Sequence, residues 1–250
     1  MAEPTKLLIL GGTGEAATLA RRLARDPNIA VITSLAGRTR NPAAVPGRLR
    51  RGGFGGVAGL ADYLRHEAID LVVDATHPFA VGMTRNAAEA CKTAGLPHLI
   101  LARPGWQRRA GDRWIEVENT QAAAAALPGL GRRVFLSSGR GELPAFSGLR
   151  DHRFLVRLID RPRAPLPLAD YELILGRGPF SAEHETALFK AHAIEVLVSK
   201  NSGGRATYGK IEAARGLGLP VVMIARPPLP EGETVERVDQ ALDWIEARRA

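Results

Sequence analysis

The sequence has 250 residues, of which 45% are apolar and 24% are charged, with 27 glycines and 17 prolines. This composition excludes disordered and collagen-like chains, and the length allows one domain or two. The formal net charge of +8 comes from 29 arginines and only 5 lysines. It indicates either a codon-composition bias or an anionic partner. Because only 5% of the residues are aromatic, few side chains can stack on bases, and we expect no nucleic-acid partner.

Membrane and metal partners are also not expected. No apolar run approaches the ~18 residues that a transmembrane helix needs, so the sequence predicts a cytoplasmic protein. The single cysteine, Cys91, cannot form an intrachain disulfide, and the six histidines show no metal-ligand spacing. We therefore expect no metal site and a buried apolar role for Cys91. A monomer is the simplest expectation for the oligomeric state.

The first half of the chain alternates short apolar runs with helical patterns at about 30 residues per unit, which is typical of a parallel sheet with crossover helices. The predicted strands are residues 6–10, 30–35, 71–75 and 98–102, and the predicted helices are residues 15–24, 60–67 and 81–94. Between residues 103 and 130 the pattern loosens. A strand or ribbon around Trp114 and a short helix at 121–127 are expected there, and we place the junction between domains in this region.

The same rhythm resumes in the second half. The predicted strands are residues 133–136, 154–158, 173–175, 196–199 and 221–224, and the predicted helices are residues 181–192, 211–217 and 238–248. The sequence therefore predicts an α/β protein of two Rossmann-like, doubly wound parallel-sheet halves, residues 1–125 and 126–250, with the active site in the crevice between them. A chain that crosses between the halves more than once is compatible with this pattern.

The first predicted strand runs into a glycine-rich turn that opens a helix. The turn reads Gly11-Gly12-Thr13-Gly14-Glu15-Ala16. Backbone N–H groups and the helix dipole at such a turn can hold a phosphate. Ala17 occupies the third glycine position of the GxGxxG pattern, where dinucleotide-binding folds also accept alanine. We predict that residues 11–16 bind the cofactor, and a glycine-rich turn without a ligand is the alternative.

The second predicted strand ends without the carboxylate that NAD-binding folds use to hold the ribose diol. Ser34, Gly37, Arg38 and Thr39 stand there instead. Hydroxyls and a guanidinium suit the 2′-phosphate of NADPH, which a carboxylate would repel. We therefore predict NADPH and not NADH as the cofactor, and a solvated basic turn is the alternative.

The strand predicted at residues 71–75 is followed by Thr76, His77, Pro78 and Phe79. The carboxyl end of a parallel strand is where open α/β sheets present ligand-binding groups. We predict that these four residues meet the nicotinamide end of the cofactor. Capping of the following helix is the alternative role of His77, and Asp74 is expected to order backbone amides.

Two glycine-rich loops follow strands of the second half, at residues 176–180 and 199–205. Their glycines let the backbone approach a large ligand, and their cationic side chains can bind its carboxylates. The predicted substrate-binding residues are Ser138, Arg177, Gly178, Pro179, Phe180, Lys200, Asn201, Ser202, Gly203 and Gly204. Purely structural turns are the alternative for both loops.

Taken together, these motifs resemble the precorrin-6A reductases of cobalamin biosynthesis. The matching segments run in order through nearly the whole chain: LILGGTGEA, SLAGR, GGFGGVAGLADYL, DATHPFAVGMTRNAAEAC, LSSG, ILGRGPF and SKNSGGRATYGKIEAARGLGLPVVMIARP. The resemblance implies an NADPH-dependent reductase that adds a hydride to one double bond of precorrin-6A, giving precorrin-6B. The substrate is then a polycarboxylate tetrapyrrole. The proton that this reaction also needs can come from His77, Lys200, Tyr208 or solvent.

Three other functions are compatible with parts of the sequence. One is an NADPH-dependent reductase of a smaller substrate, although Tyr208 and Lys210 lie too close for the Tyr-x-x-x-Lys pair of short-chain dehydrogenases. Another is a non-enzymatic NADPH sensor, which leaves the second glycine-rich half unexplained. The last is an RNA-binding protein, for which binding would depend strongly on salt.

Overall fold

The computed structural model of the protein describes residues 3–37 and 44–249. The chain forms two compact units. Unit 1 runs up to Pro104 and resumes at Pro227, and unit 2 is Gly105–Arg226. The units therefore divide at these two places and not between residues 125 and 126 as predicted, a position that lies inside a helix. The order of elements in the sequence does not reveal which sheet each strand joins, so the return of the chain to unit 1 leaves no local signal.

The strands, in chain order, are β1 (Thr5–Leu10), β2 (Ile29–Leu35), β3 (Arg48–Arg51), β4 (Leu71–Asp74), β5 (His98–Leu101), β6 (Arg113–Val117), β7 (Arg133–Leu136), β8 (Arg153–Leu158), β9 (Tyr171–Leu175), β10 (Val196–Lys200), β11 (Pro220–Ile224) and β12 (Glu233–Val235). The α-helices are α1 (Gly14–Leu23), α2 (Gly56–His66), α3 (Val81–Ala94), α4 (Thr120–Ala126), α5 (Ala182–Ala191), α6 (Gly209–Gly216) and α7 (Val238–Glu246), and a 3₁₀ helix spans Arg140–Phe146.

In unit 1, the described residues form a six-stranded sheet in the order β12-β5-β4-β1-β2-β3, with every pairing parallel. Leu7 and Ile9 of β1 pack in the core beneath α1 and α7. Leu8 and Leu10 pack on the opposite face beneath α2 and α3. Because helices cover both faces, β1 is apolar from Leu7 to Leu10 and β4 from Leu71 to Val73, which explains the uninterrupted apolar runs in the sequence.

Unit 2 contains a second six-stranded parallel sheet among its described residues, in the order β6-β11-β10-β7-β8-β9. One face carries α5 and α6, whose Phe189 and Ile211 pack in a core with Phe135, Leu197 and Met223. The predicted α/β fold with two doubly wound parallel sheets is thus confirmed. The location of the active site in the crevice between the halves stays a prediction.

The sequence missed two edge strands, β3 and β12. The first has the sequence Arg-Leu-Arg-Arg and is only partly buried. The second is three residues long and mostly exposed. Edge strands face solvent, so neither carries the apolar pattern by which strands are recognised. In the described parts of the chain, no helix combines the length and apolar character needed to cross a bilayer.

Candidate active site

In the sheet of unit 1, the strand order changes direction between β1 and β4, which are neighbours. Open α/β sheets bind ligands at such a point, beyond the carboxyl ends of the strands. The turns after these two strands lie side by side, because the Thr13 hydroxyl donates a hydrogen bond to the Ala75 carbonyl oxygen at 2.6 Å. The structure therefore brings together two of the predicted segments, residues 11–16 and 76–79.

The first two glycines of the turn after β1 have different roles. A Cβ atom on Gly11 would lie 3.2 Å from the Thr33 methyl group, so this position is fixed by packing against β2. Gly12 has φ +116°, a conformation that side chains rarely adopt, and a Cβ atom there would meet no atom within 4 Å. The backbone at Gly12 is thus open to the close approach of a ligand.

The amino end of α1 offers unpaired N–H groups to that ligand. Thr13 is the N-cap, and its hydroxyl accepts the Ala16 N–H at 3.2 Å. The N–H groups of Gly14 and Glu15 donate to no acceptor in the ranges that the structure describes. Together with the helix dipole they favour an anion. The Glu15 carboxylate would oppose it, but the Arg103 guanidinium pairs with that carboxylate at 2.6 Å.

The end of β2 is described in part. Ser34 and Gly37 lie there as predicted, whereas Arg38 and Thr39 fall outside the described residues. The adjoining strand β3 places Arg50 opposite Ser34, with the guanidinium Nη1 3.3 Å from the Ser34 hydroxyl oxygen. Arg50 was not among the predicted site residues. The arginine-rich run before two glycines is a signal for it, but only the strand pairing shows where the side chain lies.

The turn after β4 is shaped by its own side chains. The Asp74 carboxylate accepts the Thr76 N–H at 2.9 Å, so Asp74 orders a backbone amide as expected. His77 Nδ1 accepts the Phe79 N–H at 3.3 Å, and the two rings lie 5.8 Å apart. The N-cap of α3 is Ala80, without a side-chain cap. His77 therefore stabilises the turn itself and does not cap the helix.

In unit 2 the corresponding change of direction lies between β7 and β10. Lys200 ends β10 and forms an ion pair with Glu142 of the 3₁₀ helix that comes after β7. The second Glu142 oxygen and the Ser138 hydroxyl oxygen are buried without a hydrogen-bond partner among the described residues. Sequence analysis missed Glu142, because its contact with Lys200 depends on the pairing of two strands.

The first predicted substrate loop contacts Ala206, the residue that directly follows the second. The Phe180 N–H donates to the Ala206 carbonyl oxygen at 3.2 Å, and a Cβ atom on Gly178 would lie 2.9 Å from that same oxygen. Gly178 is therefore required for the close approach of the loops, while Arg177 and Pro179 are exposed. Within unit 2, residues 176–180 and 200–206 thus form one continuous rim.

Two of the predicted residues have structural contacts that the sequence did not indicate. The Asn201 side chain accepts the Trp106 N–H at 2.7 Å and donates to the Trp106 carbonyl oxygen at 3.1 Å. The Trp106 indole N–H donates to the Gly204 carbonyl oxygen at 2.8 Å. The Tyr208 hydroxyl oxygen lies 2.8 Å from an Arg215 nitrogen that donates to it. Asn201 therefore fixes the loop, and Tyr208 keeps its hydroxyl proton available for a further hydrogen bond.

The rim borders a cavity of about 420 Å³ in unit 2. The amino ends of α5 and α6 both reach it. Its lining residues are Arg109, Phe180, Ser181, Ala182, Arg205, Tyr208, Gly209 and Glu212. Two arginines and two helix amino ends favour an anionic group in this cavity, and they outweigh the single Glu212 carboxylate that also lines it.

A buried group of charges supports the same rim. The Arg157 guanidinium forms two hydrogen bonds with the Glu185 carboxylate, the longer at 3.0 Å, and the side chains are 8% and 1% exposed. Arg157 also lies 4.0 Å from the centre of the Phe180 ring. Burial lowers the pKa of nearby Lys210 to about 8, against the opposing effect of Glu185. These contacts hold Phe180, and with it the first loop, in place.

Comparisons with known proteins agree on one family. Residues 6–246 match the family described as Precorrin-6x reductase CbiJ/CobK. A precorrin-6A reductase of Rhodococcus erythropolis is 50% identical over 242 residues, covering 96% of this chain and 97% of that protein. One of Rhodobacter capsulatus is 45% identical over 241 residues, covering 96% of each. A solved structure of a CobK precorrin-6A reductase has a TM-score of 0.94 at 44% identity and covers 98% of both chains.

Proposed function

Because this chain belongs to the precorrin-6x reductase family, and is thus an oxidoreductase of cobalamin biosynthesis, we propose that it reduces one double bond of precorrin-6A with NADPH as the hydride donor. The observation that supports a dinucleotide most strongly is the turn after β1. There the open backbone at Gly12 and the unpaired N–H groups of Gly14 and Glu15 face the point where the strand order reverses. Backbone groups in this arrangement fit a pyrophosphate.

In this proposal unit 1 holds the cofactor. Residues 11–16 bind the pyrophosphate, the segment from Ser34 through Gly37, Arg38 and Thr39 binds the adenosine ribose and its phosphate, and residues 76–79 border the nicotinamide. When bound, NADPH supplies the hydride. The pairing of Glu15 with Arg103 helps, since it reduces the repulsion between that carboxylate and the phosphates.

Unit 2 binds the tetrapyrrole in the same proposal. The cationic side chains of Arg177 and Lys200 and the basic cavity beside them suit a macrocycle that carries several carboxylates. Glu142 keeps the Lys200 ammonium group at the carboxyl edge of the sheet. The contact between Phe180 and Ala206 keeps the two loops together, so a ligand meets a single preformed surface.

Catalysis then consists mainly of positioning, because the donor and acceptor carbons must come to about 3 to 3.5 Å. The accompanying proton has three candidate side-chain sources besides solvent. His77 accepts a backbone N–H at Nδ1, so the proton of its neutral ring is on Nε2. Lys200 carries ammonium protons beside Glu142, and Tyr208 has a hydroxyl proton not used by Arg215. Each is tested by substitution, since loss of the donor lowers turnover. For Lys200 and Tyr208, which lie in unit 2, cofactor binding should stay unchanged.

The cytoplasmic location stays a prediction. The monomeric state and the lack of nucleic-acid and membrane partners stay predictions.

The test is a titration of the protein with NADPH and with NADH, followed by addition of precorrin-6A while the nicotinamide absorbance is recorded. We expect tighter binding of NADPH and its oxidation only after the macrocycle is added. Lys200→Ala is expected to bind NADPH normally and to turn over at least about tenfold more slowly, as loss of a charged contact predicts. Binding of NADPH without oxidation in the presence of precorrin-6A would contradict the proposed reaction.

A further inference from the structure

Arg50, on the edge strand β3, has an unusual environment for an arginine. Its Nη1 donates to the Gly52 carbonyl oxygen at 2.6 Å, and its Nη2 donates to the Gly53 carbonyl oxygen at 2.8 Å. The guanidinium carbon lies 3.6 Å from the centre of the Phe54 ring. Two backbone hydrogen bonds and an aromatic face therefore fix this half-buried side chain in one orientation.

The charge of Arg50 has no carboxylate partner among the residues that the structure describes. Arg48, two residues earlier on the same strand, differs in this respect, because it forms a two-hydrogen-bond ion pair with Glu67. The contacts of Arg50 are to two carbonyl oxygens and to the Ser34 hydroxyl. They use three of the five N–H donors of a guanidinium. The Arg50 guanidinium is therefore held in place with two N–H donors unused. This arrangement suits the binding of an anion from outside the protein.

The location of Arg50 indicates which anion this is. Ser34, 3.3 Å from Arg50, lies at the carboxyl end of β2, where dinucleotide-binding folds distinguish a ribose 2′-hydroxyl from a 2′-phosphate. The turns after β2 and β3 adjoin there, since a Cβ atom on Gly37 would lie 3.7 Å from the Gly52 nitrogen. The described residues just after β2, Ala36 and Gly37, carry no acid that would repel a phosphate.

We propose that Arg50, with Ser34, binds the 2′-phosphate and thereby selects NADPH over NADH. This inference rests on the proposed function, and it adds a specificity-determining residue that is contributed by a neighbouring strand and not by the loop after β2. The guanidinium gives up its weak contact with the Ser34 hydroxyl and directs its remaining donors, together with that hydroxyl, toward the phosphate oxygens. Because Gly52, Gly53 and Phe54 already hold the side chain, little freedom is lost on binding.

The test is calorimetric binding of four ligands to Arg50→Met and Arg50→Lys: NADPH, NADH, adenosine 2′,5′-bisphosphate and adenosine 5′-phosphate. For Arg50→Met we expect the Kd of NADPH to rise roughly 30-fold and that of NADH to change less than about threefold, as loss of a charged hydrogen-bonded contact predicts. The affinity for the bisphosphate should fall as much as that for NADPH, and the affinity for the monophosphate should change as little as that for NADH. Arg50→Lys keeps the positive charge but not the planar group that donates two parallel hydrogen bonds, so we expect an intermediate loss of affinity for NADPH.

Arg51→Met is the matched control, because Arg51 is the next residue of β3 and is exposed. It should leave all four affinities unchanged. If Arg50→Met weakens the binding of NADPH and of NADH equally, at an unchanged midpoint of thermal unfolding, Arg50 only shapes the loop. That result would overturn the inference. If Arg50→Met still prefers NADPH to NADH as the wild type does, the inference is also overturned, but the proposed function stands. A wild-type protein that binds neither dinucleotide would instead contradict the proposed function.

Discussion

The two units use one strand order but complete it from different parts of the chain. In unit 1, strands β3, β2, β1, β4 and β5 have the order of a dinucleotide-binding sheet, and the sixth position is taken by β12, which comes after unit 2 in the sequence. In unit 2, strands β9, β8, β7, β10 and β11 repeat this order, and β6, the first strand of the unit, takes the sixth position. The sixth strand therefore comes from after the other five in one unit and from before them in the other, whereas the order of those five strands is the same in both.

The units differ more in the segment that connects the central strand to the next element. After β1 comes a glycine turn and the ten-residue α1, with unpaired N–H groups at its amino end. After β7 comes Ser137-Ser138-Gly139 and a 3₁₀ helix that contains Pro144 and supplies Glu142 to Lys200. One unit thus presents backbone donors, which suit a phosphate, and the other presents charged side chains, which suit a ligand with carboxylates. The units thus share a strand order but differ in the segment that follows the central strand, and the proposed division of ligands rests on that segment.

The largest difference between the units is expected in the loss of stability when one partner of an ion pair is removed. Arg157→Met leaves the Glu185 carboxylate, 1% exposed, without its partner inside unit 2. We expect a loss of about 3–5 kcal/mol in the free energy of unfolding, because an uncompensated buried charge is costly. In unit 1, Arg22 and Asp239 form an ion pair with side chains 51% and 67% exposed, so Arg22→Met should cost less than about 1 kcal/mol. Urea unfolding of both variants measures the difference, and equal losses would contradict it.

A smaller effect is expected from the glycine turn. Gly12 has φ +116°, so Gly12→Ala introduces strain of about 1–3 kcal/mol at the backbone that is proposed to approach the pyrophosphate. We expect the Kd of NADPH to rise roughly 10-fold to 100-fold. The counterpart in unit 2 is Gly203→Ala, at φ +65°, which should raise the KM for precorrin-6A and leave the Kd of NADPH within about twofold. If both substitutions weaken NADPH equally, the division of ligands between the units is wrong.

The smallest effect is a difference in pH dependence. In unit 2, burial lowers the pKa of Lys210 to about 8 from an ordinary value of 10.5, so the unfolded chain binds more protons between these values. The contribution of Lys210 to stability therefore rises with pH in that range. In unit 1, burial raises the pKa of the Cys91 thiol from 9.0 to about 12, with a further contribution from Asp74. Its contribution falls as the pH rises above 9.0, since the unfolded chain then loses the proton first.

Each slope is at most about 1.4 kcal/mol per pH unit. Urea unfolding between pH 7.5 and 10 should show a weaker rise above pH 8 for Lys210→Met than for the wild type. Cys91→Ala should remove the decline above pH 9. Unchanged slopes in both variants would mean that neither group is as buried in solution as in the structure.

The sequence indicated those parts of the candidate site that are local in the chain, and their binding roles stay predictions. The turn at residues 11–16 and the segment 76–79 are each a strand end followed directly by a helix or turn, so their pattern shows in consecutive residues. Lys200 with Glu142, and Arg50 with Ser34, were not predicted as pairs because parallel strands bring them together from distant positions. The edge strands β3 and β12 were missed for a related reason: a strand that borders solvent has no apolar period to detect.

The most direct test of the division between the units is amide hydrogen exchange of the intact protein with and without saturating NADPH. NADPH is expected to slow exchange most in residues 11–16, where the N–H groups of Gly14 and Glu15 have no acceptor among the described residues. The amides of residues 140–146 and 200–206 should change much less until precorrin-6A is added. Protection by NADPH confined to unit 2, with residues 11–16 unchanged, would contradict the account.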